Sequence, residues 1–505
     1  MALVHLAGAG DAKASLAVMA TGAALLVANL FAVRAIVAEV APASRHAALA
    51  AMAATALYYP LVFWTLRGME VGLVALLVAL MALYALRLER SFDPRILAKL
   101  AAVMAIGVLT RDDVAVPCLV VAAYVVVRCP GRRARSAAVL GGALAATVGA
   151  HELFRVLYYD SLLPNTYALK MGGSVLGERL ERGAAVMANV TWASLYVPAA
   201  LAGAALAARR RGVGLLVGIF GAQAAYTVSV GGDAWENMGA TDRFLTPAAP
   251  LLLAAAAVGF AALVDGRPRR GAALLAGGLA ALGALHAAAG LAGHALVVPP
   301  AIAGGTPLPA RAETAAAIGA GLFALTVALA VRASGSGPRR AAWQLFAIAL
   351  IVATSGAQLA DWRRNGAAYA QTDAAMARYG VELRAATSPD TTIAVAWAGA
   401  VPYFDRRPSV DLLGKSDRAV AEGAPRPIPF HPGHTKWDYA HSVGRLRPDV
   451  IAQLWRAQPA DLELLRRLGY VDVAGDRGNL YARAGARGID AGGLRRAVPG
   501  WIAEG

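Results

Sequence analysis

The chain has 505 residues, of which 58% are hydrophobic and only 16% charged, with a formal net charge of +16 and a mean hydropathy of +0.53. That balance excludes an ordinary water-soluble globular protein, which carries more charge and less apolar surface. It excludes a nucleic-acid partner as the first explanation of the basic surplus, because in a lipid-facing chain arginines are first a topology signal.

Apolar windows long enough to cross roughly 30 Å of hydrocarbon, at about 1.5 Å per helical residue, recur from about residue 15 to residue 359 and then stop. They predict about twelve transmembrane helices near 15–36, 47–64, 71–88, 96–110, 114–128, 137–157, 191–208, 213–230, 244–264, 271–297, 313–331 and 341–359, the fourth and fifth being short. Cys118 and Cys129 lie 11 residues apart on one such helix and its basic end, which suits neither a disulfide framework nor a metal site, so both are structural.

Every second connection is basic: Arg45; Arg87, Arg90, Arg95 and Lys99; Arg128, Arg132, Arg133 and Arg135; Arg209, Arg210 and Arg211; Arg267, Arg269 and Arg270; Arg332, Arg339 and Arg340. These 18 stand against seven in the intervening connections, Arg67, Arg111, Lys170, Arg179, Arg182, Arg243 and Arg311, although those include the longest loops. The positive-inside rule makes the first set cytoplasmic and puts loops 158–190, 231–243 and 299–312, with everything after 360, outside. The N-terminus then falls outside too, with no signal peptide before it, so the expectation is a chain that begins one span late.

Ionisable residues are costly in a membrane protein, so clusters at the outer ends of spans are functional candidates. Arg67 and Glu70 in "WTLRGMEVG" read as a structural ion pair or cap. In "LTRDDVAVP", Asp112 and Asp113 beside Arg111 suit a divalent cation or a sugar hydroxyl, or else a self-neutralising turn. "HELFRVLYYDSLLPNTYALKMGG" carries His151, Glu152 and Arg155, then an aromatic belt at Tyr158 and Tyr159, then Asn165, Tyr167 and Lys170. Lys170 suits a lipid phosphate or an interfacial anchor. Residues 174–190 alternate as an amphipathic helix lying on the membrane. In "VGGDAWENMGATDRFLTPAAPLL", Asp233, Glu236, Asp242 and Arg243 surround Trp235, a set suited to sugar hydroxyls stacked on a ring, with Gly231 and Gly232 permitting close backbone approach.

Beyond residue 360 a helical stretch to about 387 precedes the β-rich "TTIAVAWAGAVPYF", and later "PDVIAQLW", "YVDVAG" and "NLYARA" alternate with helix-like "PADLELLRRLG". The expected organisation is a polytopic α-helical membrane domain over 1–359 and an extracytoplasmic α/β domain over 360–505. His431, His434 and His441 lack Cys or acidic partners at zinc-site spacing, so no metal ligand is assigned.

The order "FWTLRGMEVGLVALLVAL", "GVLTRDD", "LYYDSLLPNTYALKMGG", "GGDAW…DRFLTPAAPLL", "VDLLGKSDR" and "PGHTKWDYA…RPDVI" resembles GT-C membrane glycosyltransferases, and within them bacterial terminal arabinofuranosyltransferases, over nearly the whole chain. The resemblance implies sugar transfer from a polyprenyl-phosphate donor to a cell-envelope glycan or glycolipid acceptor at the outer face of the cytoplasmic membrane. It implies that Lys170 and Arg243 face the donor, and that His434, Lys436 and Asp438 close over the site. The family's general base stands in the first external loop, which this sequence does not display, so Asp233 is the stand-in for the carboxylate that takes the acceptor's proton. Two other classes stay open: a non-catalytic remnant or scaffold of the same family, and a lipid-linked glycan transporter. The transporter would call for mid-span ionisable groups, whereas the mid-span polar residues are few, such as Gln223, His286 and Ser355.

Overall fold

The computed structural model describes residues 11–235, 241–265, 282, 288, 311–333, 339–367, 369–475 and 479–497. The chain divides into two compact units, one of residues 1–160 and 179–364, the other of residues 161–178 and 365–505.

The first unit is built of apolar helices. In chain order these are α1 (Asp11–Val40), α2 (Arg45–Ala56), α3 (Tyr59–Leu66), α4 (Val71–Arg90), α5 (Pro94–Thr110), α6 (Ala115–Arg128) and α7 (Arg133–Tyr159). After the short α8 (Asn165–Met171) come α9 (Leu176–Val190), α10 (Tyr196–Ala207), α11 (Val213–Ser229), α12 (Ala249–Asp265), α13 (Arg311–Ala333) and α14 (Arg339–Asn365). Among the described residues seven helical stretches are long and apolar enough to cross a membrane, or eight if α2 and α3, bent by 52°, make one span. The expected span at 271–297 lies outside the described residues, apart from single positions.

Local chemistry explains the break between α2 and α3. Pro60 sits in the first turn of α3, where its missing N–H costs nothing, and the Tyr59 N–H there donates to Ser355 Oγ of α14 at 3.0 Å. Ser355, read from sequence as a lone mid-span polar residue, therefore caps a broken helix. Small residues set the helix spacing elsewhere. A Cβ on Gly259 of α12 would lie 1.9 Å from Leu201 O of α10, and one on Gly22 of α1 would lie 2.6 Å from Thr65 O. Asn29 of α1, fully buried, donates to Gly72 O at the start of α4 at 2.9 Å.

Residues 174–190, expected as an amphipathic helix lying on the membrane, form α9, which runs on through a π-helical turn, Thr191–Leu195, into α10 as one 32-residue candidate span. Arg182, expected on a solvated face, is only 7% exposed and donates to Gly231 O. Its neighbour Gly183 has no side chain to keep α9 away from the backbone at Val228 of α11, and that contact buries the arginine.

The second unit centres on a five-stranded sheet in the order β2-β1-β3-β5-β4, formed by β1 (Ile393–Val395), β2 (Ser409–Asp411), β3 (Val450–Ile451), β4 (Tyr470–Asp472) and β5 (Tyr481–Arg483). β1 runs parallel to β2 and β3, and β5 antiparallel to β3 and β4. Alternation along β1 sorts the core. Ile393 and Val395 face a layer with Tyr379 and Leu383 of α15 (Ala370–Ala386), while Ala394 faces Val410, Ile451 and Leu465 on the other side. Residues 161–178, expected as a loop of the membrane domain, group with this sheet-bearing unit.

Candidate functional site

In the first unit three connections, distant in sequence, are joined by one arginine. Arg111 stands between α5 and a 3₁₀ turn at Asp112–Val114, held there because Arg111 is extended and the chain reverses at once. Its Nε and Nη2 donate to the two oxygens of Asp113 at 2.5 and 2.6 Å, and Nη1 reaches Glu70 Oε1 and the Arg243 carbonyl, each at 3.3 Å. Gln223 of α11 donates to Asp113 Oδ2 at 3.2 Å, and the Arg111 guanidinium lies over the Phe244 ring at 5.5 Å. The turn before α4, the turn before α6 and the loop before α12 therefore meet at one point. Neighbouring carboxylates push the Arg111 pKa further up, Asp113 most strongly, against the effect of its burial.

Arg243 repeats the pattern. It clamps both oxygens of Asp233 at 2.6 Å each, beneath a side chain with no solvent exposure, and its guanidinium lies over Trp64 at 5.4 Å. Gly231 and Gly232, with φ of 82° and 77°, make the left-handed reversal that turns Asp233 back toward Arg243. Asp242 lies 1% exposed and accepts from the Phe244 and Leu245 N–H groups at 2.9 and 2.8 Å through Oδ1, so it caps the entry to α12. Its Oδ2 is buried without a hydrogen-bond partner. Burial, reinforced by the Asp233 charge, raises its pKa from 3.8 to about 6.

The adjacent carboxylates Asp112 and Asp113 diverge. Asp113 is buried against Arg111, whereas Asp112 is half exposed and pairs with Arg155 at 3.1 Å and with His151 at 3.6 Å. Arg155 also holds Glu152 at 2.7 Å. Arginines engage Glu70, Asp112, Asp113, Glu152 and Asp233, so these carboxylates do not present a joint donor set. Among the described residues no group of three or more His, Cys, Asp or Glu is arranged to hold a metal ion, and the divalent cation considered from sequence has no such site there. Glu236 lies outside the described residues, and Trp235 beside it is half-buried.

The other candidates belong to the second unit. Asn165 and Lys170 are half-buried on α8, and Tyr167 is exposed. Lys436 is 2% exposed, and its Nζ donates to Ala168 O at 3.0 Å and Ala421 O at 2.8 Å. Burial lowers its pKa, opposed by Glu422. His434 is buried with Nδ1 2.9 Å from Pro432 O and its ring 5.6 Å from Trp455, while Asp438 is exposed and accepts the His441 N–H at 3.1 Å. His434 and Lys436 are thus packed inside their own unit. Sequence reasoning missed the hub role of Arg111 and the Glu70 partnership, because each is a contact between residues separated by dozens of positions. The only signal was the presence of an opposite charge at each outer span end.

Comparison with solved structures gives a match to ArnT from Cupriavidus metallidurans in complex with undecaprenyl phosphate, at 16% identity over 82% of this chain and 74% of that chain, with a TM-score of 0.51. A likeness at that identity is one of fold alone. Residues 360–487 match a domain of unknown function, DUF8728. A search of curated proteins gives no match. The chain thus shares its fold with ArnT and carries seven or eight candidate membrane spans among its described residues.

Proposed function

We propose that the protein is a membrane glycosyltransferase that takes a sugar from a polyprenyl-phosphate donor and passes it to a cell-envelope glycan or glycolipid acceptor. The observation that carries this reading is the convergence of Glu70, Arg111, Asp113, Asp233 and Arg243 from three connections at one end of the helical unit. The fold shared with ArnT, whose structure holds undecaprenyl phosphate, supports the donor class. The order of sequence motifs, nearest to arabinofuranosyltransferases, supports the acceptor class. The same reading takes the helices as about twelve spans and places residues 360–505 outside the cytoplasmic membrane.

In this scheme the acceptor oxygen attacks the anomeric carbon, its proton passes to a carboxylate, and the bond from that carbon to the phosphate oxygen breaks to release polyprenyl phosphate. Asp233 remains our first assignment for the proton acceptor. Both its oxygens are held by Arg243, so this role requires the pair to open when substrate enters. Trp235 and Asp242 line the same loop and are assigned to the sugar, with Asp112, Asp113 and Glu152 near the acceptor.

The test is radiolabelled sugar transfer from a panel of polyprenyl-phosphate donors in membranes expressing the protein. Transfer that is lost in Asp233→Asn and Arg243→Met, each still folded at the assay temperature by melting in detergent, supports the enzyme. If no donor gives transfer, the scaffold or transporter class takes its place.

A further inference from the structure

We propose that Thr241 and Asp242 form a site for one monovalent metal cation, buried where the loop after α11 enters α12. The two residues are consecutive and are 0% and 1% exposed. Each carries a buried side-chain oxygen, Thr241 Oγ1 and Asp242 Oδ2, that has no hydrogen-bond partner. Buried polar atoms are ordinarily paired, and two orphaned neighbours cost free energy that one shared ligand recovers. The Asp242 carboxylate is fixed in place through its other oxygen, which accepts the Phe244 and Leu245 N–H groups at 2.9 and 2.8 Å and lies 3.5 Å from the Thr227 hydroxyl.

Charge points to a cation. Arg111 holds Asp113 and Glu70, and Arg243 holds Asp233, whereas Asp242 forms no ion pair among the described residues. Even with Arg182, which donates to Gly231 O in the same loop, the carboxylates of this cluster outnumber its guanidiniums. Burial and the Asp233 charge act against the ionised form of Asp242, and Arg111, already committed to two carboxylates, acts for it. One negative charge is thus left uncompensated in a site closed to water, and a single positive charge answers it. A carboxylate and a hydroxyl are hard oxygen ligands of the kind an alkali cation takes. A divalent ion asks for more carboxylates than one, and among the described residues no cluster of acidic groups supplies them. The ion ties the start of α12 to the loop that carries Trp235, so Asp242 acts on a bound sugar by shaping this loop and not by touching the ring.

The site rests on burial and charge and stands or falls apart from the glycosyltransferase reading. The test melts the full chain in detergent at about pH 8 while sodium chloride replaces choline chloride at constant ionic strength, choline being too bulky for a site closed by packing. The native protein should melt about 1–3 °C higher in Na⁺ than in choline. Asp242→Asn keeps the acceptor for the two N–H groups and lacks the charge, so its melting temperature should be the same in both salts. Thr241→Val, which keeps the shape of the side chain, should show a smaller response to Na⁺, and Asp112→Asn, at a half-exposed carboxylate, should show the full one. Equal melting of the native protein in the two salts overturns the proposal, as does a response to Na⁺ that persists in Asp242→Asn. A full response in Thr241→Val removes the second ligand and with it the paired site. A native melting temperature that rises on acidification and ignores Na⁺ assigns the surplus charge to a bound proton, which also overturns it.

Discussion

The Asp233–Arg243 pair shows what burial does to a charge. With the carboxylate unexposed and the guanidinium 20% exposed, loss of one partner leaves the other desolvated and uncompensated. Arg243→Met alone should therefore destabilise the protein by about 3–5 kcal/mol, and Asp233→Asn combined with it should recover part of that loss. Thermal melting of the four proteins of this cycle in detergent measures the coupling, and strict additivity would mean that the pair is not coupled. Asp242 titrates in the opposite sense from most carboxylates. Its folded pKa is raised to about 6 from 3.8, so the fold disfavours its ionised form: the penalty is complete above about pH 6 and fades as pH falls from 6 toward 4. Asp242→Asn keeps the Oδ1-type acceptor for the Phe244 and Leu245 N–H groups and removes the charge. The variant should melt higher than the native protein at pH 8, by an amount equivalent to about 1–3 kcal/mol, with the gap narrowing at pH 5. A gap that widens on acidification would contradict the burial argument.

Helices here are held at distances set by small residues more than by large ones. Gly259 allows α12 to approach the backbone of α10, and since the obstacle is a carbonyl, no rotamer change can accommodate a side chain. Gly259→Leu should cost about 3 kcal/mol or more, seen as a lower melting temperature, whereas Gly203→Leu on α10, which has open space around it, should fall within about 1 kcal/mol of the native protein. The apolar runs made the helices legible: residues 71–88 predicted what is observed as Val71–Arg90, and 341–359 what is observed as Arg339–Asn365. The break at Leu57 and Tyr58 was not legible, because it depends on Ser355, nearly three hundred residues away. The joining of α9 to α10 was missed for a related reason. Of the charged residues that mark α9 as a surface helix, Glu178 and Glu181 stay exposed and Arg182 alone is buried, against the end of α11, and only the tertiary contact at Gly183 reveals this.

At the scale of the whole molecule, the charge alternation predicts sidedness. Both native cysteines are buried, so single-cysteine labelling needs no substitution at Cys118 or Cys129 to lower the background. In intact cells an impermeant maleimide should label Ala419→Cys, in the second unit, and should label Arg132→Cys only after permeabilisation. The reverse pattern would invert the orientation. Glu39 with Arg87 and Arg90, and Glu89 with Arg128 and Arg211, gather at the opposite helix ends from the Arg111 cluster, as the alternation requires.

Composition and periodicity alone determined that this chain belongs in a bilayer and where its apolar helices run. The cost of burying backbone and charge in hydrocarbon leaves few alternatives, and it acts on local stretches of sequence. Which outer charges meet was decided by tertiary structure. Ion-pair partners are chosen by helix packing in three dimensions, so nothing near Arg111 in sequence announces Glu70 or the Arg243 carbonyl. The same holds for Lys436: the family resemblance implies that it closes over the site, and only the fold reveals that its ammonium donates to Ala168 O and Ala421 O.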